Sequence, residues 1–117
     1  MIADRNSWRT SPLPAQRQQF EVNWSFPLEV GQRMASGHVP ESMDDRWFII
    51  LEEGWLLLYR SWTGHCIFGL KVDFLADEVL VREGWVSRDK KQFTSVDIEN
   101  DIATARKLLL DYFVYGT

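Results

Sequence analysis

Three apolar runs stand close together in the middle of the chain, at residues 47–51, 55–59 and 66–72. Each run is too short for a typical helix, and the pattern is typical of strands. The runs are separated by Glu52-Glu53-Gly54 and by Trp62-Thr63-Gly64, and each glycine stands where a tight turn needs a residue tolerant of positive φ. Such short connections join antiparallel neighbours, so this stretch predicts a three-stranded meander.

The turn lengths decide which side chains share a face of this sheet. We predict a two-residue turn at 53–54 and a three-residue turn at 62–64, so that directly paired residues lie on one face. The first face collects apolar residues and one arginine at its end: Trp47, Ile49, Leu51, Leu56, Leu58, Cys66, Phe68, Leu70, Val72 and Arg60. The second face is apolar in its middle and polar at its ends: Arg46, Phe48, Ile50, Trp55, Leu57, Tyr59, Ser61, His65, Ile67, Gly69 and Lys71. We expect the first face to form the core and another segment to cover part of the second. A one-residue error in either turn would exchange the two sets.

The segment before the meander contains a strand and a helix. Residues 20–26 alternate apolar and polar positions strictly, which predicts a half-buried strand at a sheet edge. Residues 28–35 follow Pro27 and lead to Gly37, which predicts a short helix. Residues 37–45 then form a polar loop.

The segment after the meander predicts a fourth meander strand and a long amphipathic helix. The strand covers residues 79–86, and Glu83-Gly84 within it indicates a bulge. Thr94 or Ser95 is expected to cap the helix. Its apolar stripe recurs at spacings of three and four residues, at Ile98, Ile102, Ala105, Leu109 and Phe113.

These elements predict an α+β fold, an antiparallel β-meander of four to five strands with the C-terminal amphipathic helix packed on one face and a short N-terminal helix. In the alternative, split arrangement, the N-terminal strand joins the other edge of the sheet. We divide the chain into a loosely ordered N-terminal arm, residues 1–18, and a single domain, residues 19–117.

Composition narrows the class of protein without giving a function. The 117 residues suffice for one core, and 45% hydrophobic and 26% charged residues are ordinary for a globular domain. A net charge of −4 without a basic stripe argues against nucleic-acid binding. The single cysteine excludes an internal disulfide, and no run of about 18 apolar residues is present to span a membrane. We therefore expect a cytoplasmic protein that binds neither nucleic acid nor membrane.

The sequence contains no recognisable catalytic or metal-binding constellation. His65 and Cys66 are adjacent in a strand, so their side chains point to opposite faces and cannot form a nucleophile–base pair. His38 lies in another segment, beside Asp44-Asp45, and we interpret that segment as a solvated loop rather than a metal site. We expect no catalytic residue, no metal and no cofactor. Enzymatic activity stays open, with the balance against it.

The turn that follows the second meander strand is the best candidate for a binding surface. Arg60 lies on the otherwise apolar first face, so it must be stacked, paired or exposed at the sheet end. Trp62, Thr63 and His65 surround the same turn, and the chain carries six tryptophans, some of which we expect to be exposed for recognition. The candidate binding residues are therefore Arg60, Trp62, Thr63, His65 and, beneath Arg60, Trp47.

Each of these residues also has a purely structural interpretation. Arg60 can stack on Trp47 and pair with a carboxylate such as Asp45, Asp89 or Asp97. Trp62 can anchor its turn against the loop at residues 37–45. Arg88 belongs to a charged loop that is most simply solvated, and it joins the candidate site only if that loop folds over the Trp62 turn.

Three segments of the chain resemble a family of small bacterial proteins of unassigned function. They are Asp45-Arg-Trp-Phe-Ile49, Tyr59-Arg-Ser-Trp-Thr-Gly-His-Cys-Ile67 and Trp85-Val-Ser-Arg-Asp89. The resemblance covers roughly residues 45–113 and centres on a Tyr-Arg-Ser-Trp-Thr-Gly-x-Cys-Ile core. It implies one compact module and supplies no catalytic or binding residues.

Two classes of function follow from these patterns. The first is a non-catalytic protein-interaction or regulatory module, favoured by the aromatic content and the missing catalytic constellation. The alternative is a domain that binds, or acts on, a small anionic ligand or nucleotide through Arg60, Trp62 and His65. A deep pocket would favour the ligand, and a flat apolar patch would favour the protein partner. Homodimerisation through the second sheet face or the edge strand at residues 20–26 is a subsidiary hypothesis.

Overall fold

The computed structural model describes residues 2–116 and is built on a five-stranded antiparallel sheet. Its elements are a 3-10 turn at Arg5–Ser7, β1 at Arg17–Pro27, α1 at Leu28–Ser36, β2 at Trp47–Glu52, β3 at Trp55–Arg60, β4 at Cys66–Phe74, β5 at Glu78–Ser87, α2 at Ile98–Leu109 and a closing π turn at Leu110–Val114. The strand order is β1-β5-β4-β3-β2. The predicted α+β class, with a meander, a short N-terminal helix and a C-terminal helix, is confirmed.

The N-terminal strand and helix occur where alternation and helix signals predicted them. β1 lies at the sheet edge beside β5, begins three residues before the predicted strand, and bulges between Glu21 and Trp24. α1 ends at Gly37, whose N–H donates to the carbonyls of Arg33 and Met34. β5 also contains a bulge, but at Arg82, one residue before the predicted Glu83-Gly84, both of which pair regularly with β4.

The first hairpin has the predicted two-residue turn. Glu52 pairs with Trp55, and Glu53 and Gly54 between them both have positive φ, 52° and 84°. This backbone matches the twist of the flanking strands, so the register of β2 on β3 follows the prediction.

The second turn is one residue longer than predicted. The Arg60 N–H donates to the His65 carbonyl and the Gly64 N–H donates to the Arg60 carbonyl, each at 2.8 Å, so residues 61–64 form a four-residue turn. Gly64 has φ +78°, and a Cβ there would lie 3.0 Å from the Arg9 carbonyl oxygen. Because His65 pairs directly with Arg60, it lies on the first face, and its predicted place on the second is wrong.

A bulge in β4 offsets the one-residue shift in register that the longer turn introduces. Tyr59 pairs with Cys66 and Leu58 pairs with Phe68, which leaves Ile67 as the extra residue. Cys66 therefore packs in the second-face cluster and Ile67 in the first, so both predicted placements are reversed. From Phe68 onward the predicted faces hold, because the two one-residue changes offset each other.

The first face is covered by both helices. The predicted apolar stripe of α2 meets the sheet through Ala105 and Leu109, followed by Phe113 in the π turn, with Ile98 and Ile102 at the margin. The side chains buried there from the sheet and α1 are Phe20, Phe26, Val30, Met34, Ile49, Leu56, Leu58, Ile67, Phe68, Leu70, Val72, Val79, Val81 and Val86. This is the main core.

The second face is covered by the segment before β1. Ala3, Trp8 and Leu13 pack against Phe48, Tyr59 and their neighbours. Backbone bonds at 2.8 Å join the Ala3 N–H to the Ser36 carbonyl and the Ser11 N–H to the Gly64 carbonyl. We predicted this segment as a loosely ordered arm; in the structure it supplies the expected cover, and we call residues 2–16 the N-terminal arm.

The cap of α2 differs from the prediction. Asp97, rather than Thr94 or Ser95, is the N-cap, and its carboxylate accepts the Asn100 N–H. The Ser95 hydroxyl donates instead to Asp101, inside the first turn of the helix. Between residues 2 and 116, no helix is both long enough and apolar enough to cross a membrane.

Candidate functional site

Trp62 stands at the tip of the 61–64 turn, both exposed and held in place. Its side chain is 61% exposed, while its indole N–H donates to the Met43 carbonyl at 3.0 Å. The Arg9 guanidinium donates to the Trp62 carbonyl at 3.0 Å. The two sequence interpretations, an exposed contact residue and an anchor against the 37–45 loop, therefore describe the same side chain.

An apolar groove of about 460 Å³ adjoins the Trp62 ring. Met43 forms one wall and is 79% exposed. The remaining lining residues are Trp8, Pro40, Glu41, Ser42 and Ser61. We call this region the Trp62 surface: the exposed side chains of Met43 and Trp62, with the half-buried Trp8 and the buried Pro40 beneath them. Thr63 lies beside it, with its hydroxyl accepting the His65 N–H at 3.2 Å.

Arg60 stacks as predicted but does not pair as predicted. Its guanidinium lies 5.1 Å from the centre of the Trp47 ring. In residues 2–116 it forms no salt bridge, and its Nε is buried without a hydrogen-bond partner. Burial, and then the nearby charge of Arg46, lower the pKa of Arg60. The end of the sheet thus carries a cation that pairs with no carboxylate of residues 2–116.

The three carboxylates proposed as partners for Arg60 are engaged elsewhere. Asp45 accepts bonds from His38 and Tyr112. Asp89 accepts the N–H of Lys91. Asp97 caps α2. The predicted ion pair is wrong: none of these three carboxylates pairs with Arg60, and each accepts a hydrogen bond from another donor.

The side chains of His65 and Cys66 lie on opposite faces of the sheet, as expected for neighbours in a strand, so they do not form a nucleophile–base pair. His65 pairs with Arg60 on the first face, and its Nδ1 is buried without a partner in the described part of the chain. Cys66 lies on the second face, where its thiol donates to the Phe68 carbonyl at a sulfur–oxygen distance of 3.4 Å. Burial raises the pKa of this thiol, which keeps it protonated and unreactive.

Arg88 does not join the Trp62 surface. Its guanidinium binds the Asp101 carboxylate at 2.8 Å, the Ser95 carbonyl at 3.0 Å and the Gln18 side chain at 2.8 Å. Asp101 is only 1% exposed, so this is a buried ion pair between the end of β5 and α2. The suggested binding role of Arg88 is therefore corrected to a structural one.

A polar cluster that was not predicted from the sequence lies between the loop at residues 37–45 and the closing π turn. Asp45 lies 2.5 Å from the His38 Nε2 and accepts the Tyr112 hydroxyl at 2.9 Å. The His38 and Tyr112 rings are 4.5 Å apart. Burial, and then this hydrogen bond, raise the pKa of the Tyr112 phenol. The cluster borders a groove of about 640 Å³ and fixes the loop that carries Met43.

A second missed feature is a groove of about 440 Å³ on the second face, between the N-terminal arm and β1. Trp55, Leu57 and Trp85 line it, and Arg17 places its guanidinium 5.0 Å above the Trp85 ring. Beneath Trp85, a Cβ at Gly69 would lie 2.3 Å from the indole, so only glycine lets the ring lie flat there. The polar ends of the second face were the one sequence signal for this groove.

Comparisons of the chain with protein-family models, with curated proteins and with solved structures find no match. The resemblance to small bacterial proteins therefore stays a prediction. Function is therefore inferred from the geometry of the Trp62 surface and of the sheet itself.

Proposed function

We propose that the protein is a non-catalytic protein-interaction module that binds its partner through the Trp62 surface. The observation that carries this proposal is a tryptophan that is largely exposed while hydrogen bonds fix both its ring and its backbone. Tryptophan is enriched among residues that dominate binding energy. A side chain that is already fixed loses little conformational entropy when a partner covers it.

The surroundings of Trp62 support a protein partner of mixed character. The groove beside the ring accepts an apolar side chain, and Met43 adapts easily to the shape of a contact. The charged groups at its margin, Glu41 and Arg9, are of opposite sign, so the rim offers both a hydrogen-bond acceptor and a donor.

Site-specific photo-crosslinking tests this proposal. A photoreactive phenylalanine analogue replaces Met43, the exposed wall of the groove beside Trp62, in one protein and Leu75, an exposed apolar residue just after β4, in the control. In the source cell, we expect a discrete adduct from position 43 that excess wild-type protein removes and excess Trp62→Ala protein does not. Identical adducts from both positions, or none from position 43, would contradict the proposal.

A second candidate function, binding of a small anion, is favoured by the unbalanced charge of Arg60. Arg46 lies at the same end of the sheet, where its carbonyl accepts the Ser61 N–H at 2.9 Å, and its charge lowers the pKa of Arg60. A bound anion would therefore also be attracted by this second positive charge. Stacking on Trp47 leaves the guanidinium plane already oriented.

Thermal unfolding with inorganic phosphate, against chloride at equal ionic strength, tests anion binding. We expect phosphate to raise the Tm of the wild type and of the control Arg82→Gln, an exposed arginine in β5, but not of Arg60→Gln. Equal shifts in all three proteins, or no shift in any, would remove this candidate.

A further inference from the structure

β1 leaves part of its backbone unpaired at the edge of the sheet. On its inner side it pairs with β5, and the Arg88 N–H donates to the Gln16 carbonyl at 2.8 Å. In an antiparallel ladder, hydrogen-bonded and non-hydrogen-bonded pairs alternate. Counting from that bond, Gln18 and Phe20 bond inward to β5, and every second residue turns its N–H and C=O outward. The outward residues are Arg17, Gln19 and Glu21.

The two edges of the sheet differ in whether another segment of the chain pairs with the edge strand. At the β2 edge, His38 pairs with Ile49 through two backbone bonds of 2.8 and 2.9 Å, which covers the middle of that strand. At the β1 edge, no other strand of the described chain pairs with residues 17–21. The bulge after Glu21 ends this regular stretch. The open edge is therefore a straight segment of five residues, which is a ready template for another strand.

We propose that this edge pairs with the same edge of a second copy of the chain, antiparallel, about a twofold axis at Gln19. In this register Gln19 faces Gln19, and Arg17 of each copy faces Glu21 of the other. It is the only register that pairs all three outward residues with one another. The ladder also places opposite charges directly across from each other, twice per dimer.

Self-complementary charge is the reason for choosing a second copy as the occupant. A twofold contact requires one segment to match its own reverse, and Arg17-Gln-Gln-Phe-Glu21 does so, with a cation at one end and an anion at the other. Twofold axes at Arg17 or at Glu21 would instead place like charges face to face. The result is a continuous ten-stranded sheet. The dimer contact at residues 17–21 is separate from the Trp62 surface, so the dimer proposal and the proposed function can fail independently.

Disulfide trapping tests the register. Residues across a hydrogen-bonded pair lie about 5.5 Å apart between Cα atoms, within disulfide reach. We expect Gln19→Cys to form a covalent dimer rapidly under air oxidation. In the control, Glu21→Cys, the two cysteines lie about 13 Å apart along the strands and should form a disulfide at least tenfold more slowly. The native Cys66 is fully buried and does not compete. Equal rates for the two variants would overturn the register.

Charge exchange, followed by sedimentation equilibrium, tests the interaction without a covalent bond. We expect Glu21→Arg to raise the dimer Kd about tenfold, and the double variant Arg17→Glu, Glu21→Arg to restore it. Glu29→Arg, an exposed change of the same charge on α1, and Trp62→Ala should leave Kd unchanged. A wild type that stays monomeric at the highest concentration that remains clear, or a dimer that Glu21→Arg does not weaken, would overturn the proposal.

Discussion

The two faces of one sheet are covered in different ways. On the first face, α1, α2 and the π turn bury a continuous apolar core. On the second face, the cover is an arm whose only regular element is the three-residue turn at Arg5–Ser7. The arm leaves open a groove in which tryptophans lie beside arginines. The same strands thus have one face that is fully covered by helices and one face on which tryptophan and arginine side chains line an open groove.

The difference follows from what each cover contributes. An amphipathic helix brings a whole apolar stripe and satisfies its own backbone, so it can seal a sheet face. The arm lacks that backbone pairing and is attached by separate bonds, such as the Trp8 indole N–H to the Ser61 carbonyl at 2.8 Å. We therefore expect the second face to open before the first.

The largest contrast is expected from two neighbouring leucines on β3. Leu58 is buried under the helices, whereas Leu57 also lines the second-face groove. We expect Leu58→Ala to lower the free energy of unfolding by about 4 kcal/mol and Leu57→Ala by about 2 kcal/mol, because the groove side can relax. Urea unfolding followed by tryptophan fluorescence measures both. Equal losses would show that the two faces are equally well packed.

Two ion pairs extend the contrast to the polar contacts. Arg88 holds α2 to the sheet through the buried Asp101, whereas Arg5 holds the arm through Glu52 at 2.7 Å with half its side chain exposed. Arg88→Met should cost about 3 kcal/mol, since it leaves a buried carboxylate unpaired. Arg5→Met should cost about 0.5 kcal/mol or less. The same urea titration measures the free energy of unfolding of both variants. A large loss of stability for Arg5→Met would contradict the inference that the arm is the weaker cover.

Cys66 reports on the opening of the second face alone. Trp8 belongs to the same cluster and its ring lies 6.5 Å from that of Phe48. We expect Trp8→Ala to increase alkylation of Cys66 under native conditions about tenfold, since the arm's hold on this face is weakened. The control Ile98→Ala, at the margin of the first face, should leave the rate unchanged. Equal acceleration by both variants would mean that Cys66 is reached only by global unfolding.

The last expected effect comes from Tyr59 and appears only at high pH. Burial on the second face raises the pKa of Tyr59 to about 12, from its ordinary value of 10. The unfolded chain therefore loses this proton first, and stability that is complete below pH 10 falls as the pH rises toward 12. In Tyr59→Phe, the loss of stability between pH 9 and 11 should be smaller than in the wild type. Chemical unfolding across that range measures it, and parallel curves would remove Tyr59 as a contributor.

Local patterns predicted most of the fold. Strict alternation located β1, the Glu53-Gly54 pair located a tight hairpin, and spacings of three and four located the buried stripe of α2. These features are determined by neighbouring residues, so the sequence contains them. The fourth residue of the 61–64 turn and the extra residue at Ile67 were missed because their effects on the register cancel. From Phe68 onward, the side chains lie on the same faces that a three-residue turn without a bulge would give.

The sites were less predictable because they join distant segments. Trp62 was identified from its place in a turn, and its exposure agrees with that interpretation. The bond from Tyr112 to Asp45 spans 67 positions, and the choice of Arg88 for Asp101 depends on how α2 returns to the sheet. No spacing along the chain encodes either contact.

The Ile67 bulge has a consequence for how this chain can change length. Ile67 and Phe68 both enter the first-face core, although they are consecutive. Removing Ile67 would leave Cys66 and Phe68 adjacent, in an ordinary alternating strand, with every other side chain still on its present face. The loss would empty one core position and reverse nothing. The register of the central strand therefore tolerates a deletion at this bulge, whereas a deletion in a regular part of a strand would move the side chains beyond it to the opposite face.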